Sequence, residues 1–267
     1  ALEGSSLPPL CCHVKVDTGM GRMGVLPPDV IAVLKALQQP CFKTEGIMTH
    51  YSRADDDLEH TKHQHAVFTE VIAAAEREGF TFRYHHAANS AALLLGKGLV
   101  GNIGRPGLAI YGESPSAIAP LPEGIKPCMS WTTEVCQVKT LPAGASIGYG
   151  NTYVTSGPER VVVVPIGYGA GYRRGPTNPG VMLIHGQRCP IRGRVSMEKT
   201  VVSVEHLTER VRVGDEVVLL GEQGEARITA DEIAAAMGTI SYEMFTAMLP
   251  RIPRRVKAPA GLRSCSS

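Results

Sequence analysis

The stretch that decides the fold is Cys12-His13-Val14-Lys15-Val16, running without a break into Asp17-Thr18-Gly19-Met20-Gly21-Arg22-Met23-Gly24. Five residues with apolar positions at 12, 14 and 16 read as a short buried strand. The glycine-rich segment after them reads as a turn at that strand's carboxyl end. Pro27-Pro28 then opens a helix to about Leu37, since proline suits a first helical turn. The same unit recurs downstream. Gly46 to His50 is a second apolar strand, ending in His-Tyr-Ser. Gln64 to Arg77 carries Val67, Val71, Ala74 and Ala75 at helical spacing and stops at Gly79. Tyr84 to Ser90 is a third strand with its loop, Ala91 to Leu95 begin another helix, and Leu99 to Ile103 lead into Gly104-Arg-Pro-Gly-Leu-Ala-Ile-Tyr-Gly112. Strand and helix alternate, with chemically capable residues at each strand's end. That pattern fits a parallel α/β barrel whose chemistry gathers on the carboxyl face.

Past about Ser116 the character changes. Residues 117–130 contain a proline-rich run and read as a linker. Residues 131–257 hold valine-rich alternating segments (Trp131 to Thr140, Val161 to Pro165, Val181 to Ile184, Val201 to Val204, Glu216 to Leu220) and read as a mostly β domain. One helix is expected in it, from Thr229-Ala-Asp-Glu232 with capping-box spacing to a stop at Gly238. Residues 258–267 are small and polar, and are expected to fray. A complete (β/α)8 barrel takes about 250 residues and each βα unit roughly 30. The βα region, residues 1–116, is therefore near half a barrel: either another chain supplies the rest or the sequence is a fragment.

Composition narrows the function classes. The chain has 267 residues, 43% hydrophobic and 19% charged, with net charge +2. Neither a basic stripe for nucleic acid nor a membrane-length apolar run is present. With no signal peptide, the expected location is the cytoplasm. Seven scattered cysteines with no C-x-x-C spacing argue against a disulfide framework or a zinc knuckle. His60, His63 and His65 match no metal motif and are weighed towards an exposed helix start.

The candidate site follows from the strand ends. Arg105 offers a permanent planar cation. Ser90 and the backbone near Gly107 and Leu108 could cradle a phosphate, at the place where such barrels usually bind one. Ser90 reads equally well as the N-cap of the helix at Ala91, and His50 as a rim histidine. In the β domain, Tyr149 stands between two glycines in Gly144-Ala-Ser-Ile-Gly-Tyr-Gly150, which suits an exposed tyrosine on a tight turn more than a core one. A phenol acting as general base needs a cation nearby; Arg22 and Lys15 are candidates.

Eight strings, HVKVDTGMGRMG, THYSRADD, HHAANSAAL, NIGRPGLAIYG, SIGYGNTYV, PIGYGAGYRR, GRVSMEK and GTISYE, occur in the order and spacing of bacterial alanine racemases, and the chain resembles that family from about residue 12 to Arg254. The resemblance implies a pyridoxal 5'-phosphate enzyme of fold type III, a (β/α)8 barrel followed by a β domain. It implies a small amino-acid substrate, a head-to-tail homodimer with sites shared between subunits, and a role in supplying D-alanine for peptidoglycan. By motif, His50 resembles the histidine stacked on the pyridine ring. Ser90, Gly107, Leu108 and Tyr242 match phosphate binders, and Arg105 matches the arginine facing the pyridine nitrogen. Tyr149 matches the catalytic tyrosine. Arg22 and Met197 match substrate-binding positions, and Lys15 a lysine often carbamylated. His86, Asn89, Tyr168 and Glu198 match supporting positions.

Three departures stand out. The family's Schiff-base lysine lies in a motif like K-A-N-A-Y-G-H-G, which residues 1–267 do not contain; the sequence resembles the carboxyl-terminal two-thirds of a racemase and is not expected to racemise alone. Glu198 stands where the family has Asp, and Ala170 where it has Asp. A serine-preferring relative and a non-catalytic cofactor-binding or dimerisation remnant are the alternatives.

Overall fold

The computed structural model describes residues 8–96, 98–175 and 180–257. The chain forms two compact units, Ala1–Cys128 and Met129–Ser267.

The first unit is built on a parallel sheet of β1 (Leu10–Lys15), β2 (Phe42–Met48) and β3 (Tyr84–His86), in that spatial order. Helices α1 (Val30–Ala36) and α2 (Leu58–Arg77) provide the crossovers that parallel strands require, and α3 (Ser90–Leu95) follows β3. Its core gathers Val14, Val16, Ile47 and Tyr51 from the strands and their ends, Leu34 from α1, and Phe68, Val71 and Ala75 from α2. The first strand pairs along Leu10 to Lys15, two residues earlier than the apolar run alone marks, because Leu10 and Cys11 find partners in Phe42 and Lys43.

Helix α2 also begins earlier than its apolar spacing suggests. Asp57 caps it by accepting from the His60 N–H at 2.9 Å, so all three nearby histidines lie within the helix. No group of three or more His, Cys, Asp or Glu among the described residues could hold a metal ion.

Residues 117–130 are mostly exposed and are tied down at particular points. Ala119 is fully buried in the first unit's core, and the Cys128 N–H donates to the Tyr111 carbonyl at 3.0 Å.

The second unit is mostly antiparallel. One sheet runs β10 (Gln187–Pro190), β9 (Val181–Ile184), β12 (Glu216–Gln223), β13 (Ala226–Ile228), with β4 (Trp131–Glu134) also paired to β12. A second sheet runs β11 (Thr200–Ser203), β8 (Glu159–Val164), β5 (Gln137–Leu141), and β6 (Ser146–Ile147) pairs with β7 (Tyr153–Val154). The single strand expected over 131–140 is two strands serving different sheets. Between them the Val135 N–H bonds Asp215 and the Cys136 N–H bonds Val163, each at 2.9 Å, which turns the corner.

Helix α4 (Ala230–Met237) is capped by Thr229, whose hydroxyl accepts from the Glu232 N–H, and ends at left-handed Gly238. A further helix, α5 (Ser241–Ala247), has no counterpart in the sequence reading. It is seven residues long and lacks a side-chain cap, and it stands because Met244 and Phe245 are buried on one face. Residues 258–267 lie outside the described residues.

Candidate active site

In the first unit the carboxyl ends of β1, β2 and β3 deliver Lys15, His50 and the His86–Ser90 segment, and the chain after α3 returns Arg105 to the same end. Its backbone N–H bonds the Ala88 carbonyl at 2.9 Å, which brings the side chain across the ends of β2 and β3. The guanidinium then donates to the Thr49 carbonyl at 2.7 Å, the Ala87 carbonyl at 3.1 Å, His86 Nδ1 at 2.7 Å and His50 Nδ1 at 3.3 Å. Every one of these acceptors is neutral. No carboxylate among the described residues lies within ion-pair distance of Arg105, so a half-buried cation stands uncompensated here.

This geometry fixes proton positions. A guanidinium only donates, so His86 Nδ1 accepts and its proton sits on Nε2. From there it donates to His13 Nδ1 at 2.7 Å. Burial, then the charge of Arg105, then His13, push the His86 imidazole down to about 4. His50 is lowered by burial, then by Arg105, Arg22 and Lys15, so those three cations all act on one ring.

A stability prediction follows with a definite sign. The folded His86 pKa lies below the unfolded value of 6.5, so below pH 6.5 the unfolded chain binds more protons. Stability is full above that pH and falls as pH drops towards 4, by up to about 3 kcal/mol for a shift of this size. Urea unfolding followed by circular dichroism at pH 7 and pH 4.5 should show that loss, and His86→Asn should shrink it. An unchanged pH slope in the variant would assign the effect to other groups.

Ser90 does not cap α3. Asn89 does, accepting from the Ala92 N–H at 3.0 Å while its amide donates to the Tyr51 carbonyl at 3.3 Å. The Ser90 hydroxyl turns instead towards the returning chain, where its Oγ accepts from the Gly107 N–H at 2.9 Å and the Ala109 N–H at 3.2 Å. With both acceptor positions used, its own O–H is left to donate, and no described residue takes it. A short 3-10 turn, Leu108–Tyr111, begins at the same point, and space above the Gly107 Cα is open.

Sequence reasoning missed Gln64. On α2 it is fully buried, takes the Ser52 N–H at 2.9 Å and the Ser52 hydroxyl at 3.1 Å, and donates to Thr18 Oγ1 and the His50 carbonyl, each at 3.4 Å. It thereby ties the loops after β1 and β2. Its only sequence signal is a glutamine on the helix face that also carries Thr61, Phe68 and Val71. Asp17 fixes the glycine loop in turn, its carboxylate accepting N–H groups of Gly19, Met20 and Gly21 at 2.9–3.0 Å; these hold it below the usual carboxylate range.

In the second unit Tyr149 is 67% exposed. Gly148 and Gly150 flank it at φ 74° and 75°, a backbone that other residues rarely adopt. Cβ atoms at these glycines would press on Arg194, 3.1 Å from its N and 3.2 Å from Nη1, so the tyrosine turn rests on Gly193 and Arg194. Tyr168, Met197 and Tyr242 are exposed in the same unit. Glu198 has a fork partner, Arg251, which donates to its two carboxylate oxygens at 2.9 and 2.8 Å.

Comparison with known proteins converges on one family. The sequence model described as alanine racemase, N-terminal domain, matches residues 1–115, and that of the alanine racemase C-terminal domain matches residues 128–256. The chain belongs to the alanine racemase family. Similar relatives include alanine racemases of Carboxydothermus hydrogenoformans, 43% identical over 91% of this chain, and Halothermothrix orenii, 39% identical over 93%. The chain spans 66% of the length of each of these relatives. Among solved structures, alanine racemase from E. faecalis superposes with a TM-score of 0.84 at 40% identity, over 92% of this chain and 66% of that one. The enzyme from Bacillus anthracis with bound L-Ala-P gives 0.87 at 34%, over 96% and 67%. The alanine racemase fold accounts for the two units: the first corresponds to the carboxyl-terminal part of its barrel domain, the second to its β domain.

Proposed function

We propose that this chain is the cofactor-gripping and proton-handling part of an alanine racemase that uses pyridoxal 5'-phosphate. The observation that carries the proposal is Arg105: a cation held by four neutral acceptors, beside a serine hydroxyl whose hydrogen has no acceptor among the described residues.

The residues present fit the cofactor. A phosphate is an acceptor-only dianion, and Ser90 O–H, the Leu108 N–H and the open space over Gly107 offer it donors and room; Tyr242 is the further phosphate ligand. A pyridine nitrogen is an acceptor, and Arg105 is a donor that does not surrender its proton, so it holds that nitrogen unprotonated. His50, kept neutral by burial and three cations, is suited to lie against the ring's face. When bound, the cofactor acidifies the substrate's α-carbon hydrogen. Tyr149 then takes or returns that proton on one face. Arg22 and the backbone at Met197 hold the substrate carboxylate, with Lys15, once carbamylated and so no longer a cation repelling Arg22, keeping that arginine in place, and His86 and Asn89 keep Arg105 and Ser90 aimed. Racemisation needs a base on each face of the carbon; the second is the lysine of the K-A-N-A-Y-G-H-G type, which residues 1–267 do not contain. The working enzyme is proposed as a cytoplasmic homodimer with sites shared between subunits, interconverting L- and D-alanine for cell-wall precursors.

The test joins residues 1–267 to the amino-terminal third of the Carboxydothermus hydrogenoformans relative, supplying that lysine. With pyridoxal 5'-phosphate and L-alanine, D-alanine should accumulate towards an equimolar mixture. A chimera that binds the cofactor and leaves L-alanine unchanged would support a non-catalytic remnant, and faster turnover of serine would reassign the substrate.

A further inference from the structure

In the second unit two exposed loops lie backbone against backbone. The Tyr168 N–H donates to the Ser196 carbonyl at 3.2 Å and the Gly169 N–H to the Met197 carbonyl at 2.8 Å. The approach is so close that a Cβ on Gly167 would stand 2.0 Å from the Ser196 oxygen, and one on Gly169 2.6 Å from Glu198 Oε1. The base of the pair is tied by Thr200 Oγ1 donating to the Ile166 carbonyl at 2.8 Å. The outer end is tied by one side chain. Arg251 Nε donates to the Gly169 carbonyl at 2.7 Å, while its Nη2 donates to both oxygens of Glu198. Arg251's own segment is fastened to the same loop where the Leu249 N–H meets the Ala170 carbonyl at 3.4 Å.

We propose that Arg251 is the positioning residue that sets the register between the loop presenting Tyr168 and the loop presenting Met197, with Glu198 as its second anchor. The proposal rests on the proposed function, in which the backbone at Met197 holds the substrate and Tyr168 supports the same site. A salt bridge alone is not enough to explain the arrangement. Arg251 and Glu198 are each about half exposed, and ion pairs at such sites contribute little to stability. A planar fork with separate donors can hold a carboxylate and a carbonyl at once, which fixes distance and orientation together. Lysine brings a single point charge and cannot hold both in that geometry. Glutamate at 198 reaches across the bare Cα of Gly169 to meet the fork.

The experiment is backbone amide exchange on the 267-residue chain, comparing Arg251→Lys, Arg251→Gln and the reversed pair Glu198→Arg with Arg251→Glu. Amides of Tyr168 and Gly169 should exchange at least tenfold faster in all three, with β12 unchanged as the internal control of folding. The reversed pair discriminates: it can restore an ion pair, but a glutamate at 251 cannot donate to the Gly169 carbonyl, so exchange stays fast. Restoration of slow exchange by the reversed pair, or unchanged exchange in Arg251→Gln, overturns the proposal. Exchange behaving as expected in a chimera that does not racemise would leave the loop register standing and count against the catalytic reading alone.

Discussion

Replacing Arg105 with Leu should weaken binding of pyridoxine 5'-phosphate by at least about 100-fold and cost roughly 3 kcal/mol of stability. The two effects share one origin. The guanidinium satisfies the Thr49 and Ala87 carbonyls and His86 Nδ1, and leucine satisfies none of them. Each abandoned acceptor costs about 1–3 kcal/mol when dry, and the side chain is only half buried, so water recovers part of the total. The ligand loses a cation held in place by four fixed neighbours. Arg105→Lys separates charge from geometry: it keeps the positive charge and reaches at most one or two of the acceptors. Affinity near that of the parent chain in the lysine variant would show that charge suffices and that the fork has no role.

Tyr149→Phe, made in the chimera, should slow racemisation by about 10³-fold, the scale of a lost general base, while cofactor binding is unchanged. The two directions must fall together, because the equilibrium constant between enantiomers is one and the ratio of their kcat/KM values cannot depart from it. The asymmetry appears in a different measurement. In deuterated water, the enantiomer whose proton is taken by the other base should still exchange its α-hydrogen, and the enantiomer served by Tyr149 should not. Equal retention of exchange in both enantiomers would remove Tyr149 from the role of base. Its exposure and its two flanking glycines make the substitution structurally quiet, since the phenol oxygen has no partner among the described residues that the fold depends on.

Much of this was legible in residue order. The strand ends carrying Lys15, His50 and Ser90 follow from apolar runs that stop at polar, glycine-rich turns, and the glycines around Tyr149 signal a turn with positive φ. What was not legible depends on three-dimensional neighbours. Asn89 and Ser90 are both capable caps, and only the return of Gly107 and Ala109 decides that Asn89 caps the helix and Ser90 turns towards the site. Gln64 is one polar residue among the histidines of α2; its burial depends on where the loops after β1 and β2 lie. Arg251 sits in a proline-flanked tail segment with no periodicity, and its importance comes from Gly169 and Glu198, 82 and 53 residues away in sequence. Helix α5 is too short and too poorly capped to announce itself; packing alone sustains it.

The measurement that bears most directly on the site is a titration of the 15N-labelled 267-residue chain with pyridoxine 5'-phosphate, which carries the ring and the phosphate but no aldehyde to react with lysines. Saturable shifts of the Leu108 amide and of the Arg105 guanidinium signals, with the Leu108 shift reduced at least tenfold in affinity by Ser90→Ala, are the expected result. Saturable binding that leaves both of those signals unmoved, or no binding at all, would contradict the account.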